Sequence, residues 1–155
     1  MHPVEIIWEE NGPPPELDPA DLQTALASFL SGLSLPPGGL SVLVAGDAAL
    51  RELNHAHRGL DRPTDVLSWS YLDALPPGEE TPLLGELALS LEQAARQATE
   101  NGWDLRTEVL RLLAHGCVHL AGHDHQTPEE DARMKALEVR LLTAIGLPGL
   151  YPEEG

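Results

Sequence analysis

Cysteine, aromatic side chains and positive charge are all scarce in this chain, and each shortage narrows what it can do. A single cysteine, Cys117, in 155 residues excludes an internal disulfide framework and fits a reducing compartment. No apolar run approaches the ~20 residues of a membrane helix. The start, Met1-His2-Pro3-Val4-Glu5, lacks the basic and apolar regions of a signal peptide, so a cytoplasmic protein with no membrane association is expected. Nine Lys and Arg stand against 25 Asp and Glu, a formal net charge of −16, which opposes nucleic-acid binding because phosphate contacts come largely from Lys and Arg. The shortage is uneven. No Lys or Arg precedes Arg51, and then Arg51, Arg58 and Arg62 fall close together among His55 and His57. Such a patch can hold a phosphate whatever the net charge, or it can be a solvated helix end and loop. With three Trp, two Tyr and one Phe, platforms for stacking single-stranded bases are few. Trp69 and Tyr71 are the candidates, with core packing the expected role of Trp69.

What the chain does contain is a run of histidines at informative spacing: His115-Gly116-Cys117-Val118-His119-Leu120-Ala121-Gly122-His123-Asp124-His125. Positions i and i+4 share one helix face, so His115 and His119 can aim at one point. Gly122 can adopt the left-handed conformation that ends a helix and swing His125 back as a third ligand. Three nitrogens on one tetrahedral zinc leave a fourth position open, the arrangement of a catalytic site. Cys117 lies off that face and reads as buried filler.

Hydrophobic periodicity places the motif in an α+β domain spanning residues 1–155: a small mixed sheet of about four strands, with about five helices around a central buried metal-binding helix. Val4–Trp8, Leu40–Ala45, Val66–Tyr71 and Leu84–Ser90 read as strands. Asp18 and Pro19 open a first helix, Asp47 caps a second from Ala48 to about His57, and Leu91–Asn101 stops at Gly102. Asp104 begins the motif helix, apolar nearly all round from Val109 to Ala121. Thr127 and Pro128 open the last helix, running to about Ile145.

The His115, His119, Gly122, His125 spacing matches that of the metzincin proteases, H-E-x-x-H-x-x-G-x-x-H. Their general base is the glutamate after the first histidine, and here that position is Gly116. Peptide hydrolysis by that mechanism loses its base. A second segment, Leu53-Asn54-His55-Ala56-His57-Arg58-Gly59-Leu60-Asp61-Arg62-Pro63-Thr64-Asp65-Val66-Leu67-Ser68-Trp69, is similar to L-N-x-x-[YH]-R-x-x-D-x-P-T-D-V-L-S-F, and the histidine run to H-G-x-L-H-L-x-G-Y-D-H. Together these resemble the YbeY family of bacterial endoribonucleases. Val118, His123, Trp69 and the triplet Gly85-Glu86-Leu87 depart mildly from its pattern.

The resemblance implies zinc-dependent cleavage of single-stranded RNA in 16S rRNA 3′-end maturation and ribosome quality control, with the small ribosomal subunit as partner. It implies one zinc held by His115, His119 and His125, and a functionally important Arg58. Cleavage adds negative charge at phosphorus, so the Arg58 guanidinium would help most in the transition state. His115 counts with Arg58 as catalytic, and Arg62 with Arg58 as substrate-binding. Asp124 either steadies a ligand histidine or shapes its turn. Asp61, Thr64 and Asp65 are expected to shape their loop through bonds to backbone. Two other readings stay open: a zinc hydrolase of another substrate, and a ribosome assembly factor with structural zinc.

Overall fold

In the computed structural model, which describes residues 2–9, 12–123 and 126–150, four strands and five α-helices are found among the described residues. They are β1 (Val4–Trp8), α1 (Pro19–Gly32), β2 (Gly39–Ala45), α2 (Asp47–Arg58), β3 (Val66–Ser70), β4 (Leu83–Ser90), α3 (Leu91–Asn101), α4 (Leu105–Leu120) and α5 (Pro128–Ala144). The α+β reading and the strand and helix positions expected from periodicity hold to within a residue or two.

The sheet order is β1-β2-β4-β3. β1 and β2 run parallel with α1 returning the chain between them, and β2 and β4 run parallel through a crossover made of α2 and β3; β3 itself pairs antiparallel with β4 and forms one edge. The two faces are covered unequally. Leu40, Val42, Val44, Leu87 and Leu89 point into the large core with residues of α1, α3, α4 and α5. α4 is the centre of that core, with Val109, Leu110, Leu113, Ala114 and Val118 wholly buried, as a helix apolar on all sides requires. On the opposite face, among the described residues, α2 packs alone, closing a small cluster of Ala45, Leu50, Leu67 and Ala88. Burial alternates along β1, and Glu5 and Ile7, which share this face, are exposed.

Local capping follows the expected chemistry at Asp18, Asp104 and Thr127, whose side chains accept from the N–H groups of Ala20, Thr107 and Glu130. At α2 it does not. Gly46 is the N-cap residue and Asp47 the first helical one. The cap is supplied from α3: Glu92 Oε1 accepts the Asp47 N–H at 2.9 Å. A side chain at position 46 would collide with that carboxylate. Asp47 turns instead to accept from the Ser90 hydroxyl at 2.6 Å and from Arg96 at 2.5 Å.

Candidate functional site

His115 and His119 lie one turn apart on α4, half-buried, with ring centroids 4.8 Å apart and planes at 80°. They line a cleft of about 600 Å³ between α4 and the edge strand, with Arg58, Asp65, Ser68 and Gln126 among its other walls. Behind the pair stands Glu138 of α5. Its carboxylate, 4% exposed, meets His115 Nδ1 at 2.7 Å. An ionised carboxylate can only accept, so with Glu138 as acceptor Nδ1 carries the proton and Nε2 the lone pair. A ligand histidine oriented by a carboxylate is the usual support of a metal centre.

α4 ends as the glycine spacing predicts. Gly122 has φ +102°, its N–H bonds to His119 O, and the His123 N–H reaches back to Val118 O. These two bonds form a Schellman motif that turns the chain sharply after the second histidine. Asp124 and His125, the expected supporting residue and third ligand, lie outside the described residues. Among the described residues no three ligating side chains converge. The chain is back at the cleft by Gln126. Cys117 is fully buried and its thiol is pushed up to about 12 by that burial, so it stays protonated and apolar in character.

Gly116 lines the cleft at the position of the missing glutamate. A Cβ there would meet the Leu87 methyls at 3.1 and 3.3 Å and Val66 Cγ2 at 3.3 Å. α4 presses this face so closely against the sheet that only glycine sits there without displacement.

Arg58 ends α2, where Gly59 at φ +70° closes the helix, and its exposed side chain lines the cleft with the histidines. Arg62 is exposed on the following loop and is not among the lining residues; its carbonyl accepts from the buried Asn54 amide at 3.0 Å. Arg51 forms an ion pair with Asp61 at 2.7 Å. Asp61 therefore holds a side chain rather than the backbone bond expected of it. Asp65 does bond to backbone, accepting from Val66 N at 2.7 Å, yet it also lines the cleft and is the carboxylate among its described lining residues.

Two features were missed from sequence. Glu138 carried a signal, since a carboxylate occupies an apolar stripe of α5 between Met134 and Leu141–Leu142. Nothing local marks Asp65 as facing the histidines.

Residues 19–146 match a family model described as Endoribonuclease YbeY. An Endoribonuclease YbeY of Anaeromyxobacter sp. is 41% identical over 134 residues, covering 86% of this chain and 68% of that protein. One from Symbiobacterium thermophilum is 46% identical over 113 residues, 70% of this chain and 72% of the relative. Another, from Rhodospirillum rubrum, is 39% identical over 143 residues, 88% and 72%. A Thermotoga maritima protein solved in solution shares the fold with a TM-score of 0.57 over 97% of both chains, at 23% identity.

Proposed function

This chain belongs to the YbeY endoribonuclease family, and from that premise we propose that it is a zinc-dependent enzyme cutting single-stranded RNA. Its substrate in this reading is the 16S rRNA precursor at its 3′ end, met on the small ribosomal subunit in the cytoplasm, where the same activity serves ribosome quality control. Membership makes it a nuclease that hydrolyses RNA phosphodiester bonds; the metal, the substrate and the setting are what we add.

The observation that carries the reading is the His115–His119 pair held from behind by Glu138 and faced by Arg58 across one cleft. Two imidazoles converging from one helix face, one with its tautomer set by a buried carboxylate, fit zinc, with His125 as third ligand. Zinc, when bound, supplies a Lewis acid and an acidified water. The remaining work falls to the chain. Arg58 grips the phosphate and, with a planar fork of donors, matches two of its oxygens as negative charge builds. Asp65, with one oxygen on Val66 N–H, has the other available to take a proton from the attacking water.

A labelled single-stranded RNA, incubated with and without chelator and with His119→Ala as the contamination control, tests the proposal. Cleavage that survives the chelator but is lost in His119→Ala would remove the metal from the reaction, whereas cleavage that survives the substitution marks a contaminating nuclease. Binding without any cleavage would favour a ribosome assembly factor.

A further inference from the structure

The sheet face that α2 leaves open carries a second concavity, back to back with the cleft. Trp69 pairs across strands with Glu86, and Glu86 with Ser41, while Leu43 pairs with both Ala88 and Ile7, so these side chains share one face. With His57 of α2 they wall a groove of about 290 Å³. His57 meets the Trp69 ring edge to face at 5.1 Å. Tyr71 donates its hydroxyl to Glu86 Oε2 at 2.6 Å. Ile7, 46% exposed, and Tyr71, 37% exposed, stay open to solvent.

Groove and cleft touch along the edge strand. α2 ends by sending His57 to the groove and Arg58 to the cleft, and β3 sends Ser68 to the cleft and Trp69 to the groove. A nucleic-acid strand gripped at Arg58 has only the rim of β3 to cross. Resting on the RNA reading of the cleft, we propose that the groove is a base subsite, taking the unpaired base of a nucleotide that flanks the scissile phosphate. Four features select this occupant. The aromatic wall of Trp69, His57 and Tyr71 offers stacking, which single-stranded bases use in any sequence. The groove's lining holds the Glu86 carboxylate and neither Lys nor Arg, so it repels a phosphate and admits a base. Its volume suits a single ring system rather than the row of anchors an amphipathic helix needs. Finally, Glu86 retains a second oxygen that accepts from an exocyclic amino group, so adenine, cytosine and guanine are favoured over uracil, which has none.

The test uses the zinc-loaded full chain with Trp8→Phe and Trp103→Phe, leaving Trp69 as the sole indole. Stopped-flow mixing with single-stranded hexanucleotides should quench its fluorescence in a saturable phase that precedes cleavage. In the otherwise native chain, Trp69→Leu should raise KM for adenine- and cytosine-rich RNA by about 5- to 150-fold, the range that base–aromatic stacking spans. kcat should stay within about twofold, because the interaction is uniform binding. Trp69→Phe should keep most of the affinity, and Glu86→Gln should erase the preference over uracil-rich RNA. If Trp69→Leu does not fold, Ile7→Glu places a charge in the same groove and should raise KM likewise. An unchanged KM with no quench overturns the subsite while leaving the enzyme assignment intact. If the native chain cuts no RNA, the enzyme assignment fails. In that event saturable quenching by AMP or CMP still upholds a base site, and its absence removes it. Concentration-dependent dimerisation that Ile7→Glu abolishes with KM unchanged would give the face to a second copy of the chain and overturn the proposal.

Discussion

Glu138→Gln is the most discriminating change, because it alters charge and leaves shape nearly untouched. The native carboxylate is 4% exposed and meets His115 Nδ1 at 2.7 Å. The amide oxygen of glutamine can still accept that proton, so the metal-free fold should keep its packing. What is lost is the ionised acceptor that polarises the imidazole and raises its basicity towards a metal. Removing such a supporting partner costs about 10- to 100-fold in metal affinity. At fixed free zinc, a tenfold loss removes about 1.4 kcal/mol of zinc-induced stabilisation. For a chain of this length that shrinks the zinc-induced rise in Tm by about 3–6 °C. Two measurements check it: zinc affinity by chelator competition, and Tm with and without zinc. Glu138→Ala should do worse on both, since it also opens a cavity beside Met134 and Leu142. Wild-type zinc affinity in Glu138→Gln, together with a lowered metal-free Tm, would falsify the supporting role and leave a purely structural contact.

Arg58→Lys keeps the charge and loses the fork, so cleavage should drop at least about tenfold while Tm, for an exposed residue, moves little; a Tm collapse in Arg58→Ala would make the residue structural. Gly85→Ala should cost about 1–3 kcal/mol by urea unfolding, because its Cβ would lie 2.5 Å from the Trp69 carbonyl oxygen and against the Leu120 side chain; a neutral result would mean that α4 and β3 yield easily. The third concerns acid. The Ser90 hydroxyl, and after it the Arg96 guanidinium, hold the Asp47 carboxyl below the ordinary carboxylate range against the opposing effect of burial. Arg106 does the same for Asp21 and Thr107 for Asp104. In each case the folded pKa is below the unfolded one, so this stabilisation is present above about pH 4 and is lost as pH falls towards the folded values. Urea midpoints should therefore be flat near neutrality and fall below about pH 4, and Asp47→Asn should lower the neutral midpoint and flatten that fall; an unaltered slope would exclude Asp47 from the acid response.

Sequence by itself determined what depends on neighbours in the chain. The short β-prone run Val4–Trp8, the apolar periodicity around Leu22 and Phe29, and the caps at Asp18, Asp104 and Thr127 are local, because each reflects strand-forming residues, a helix repeat or one end of one helix. The pairing of His115 with His119 and the turn at Gly122 are local for the same reason. Tertiary structure decided everything that one element does to another. Glu92 caps α2 across 45 residues and leaves position 46 to glycine. Glu138 reaches His115 across 23 residues because α5 packs along α4. β3 sits antiparallel at an edge, and so Ser68 and Trp69, adjacent in sequence, serve different concavities. Periodicity tells which face of a helix or strand is apolar; only the packing of one face on another tells which polar group it brings within a hydrogen bond, since that depends on where distant segments of the chain come to rest.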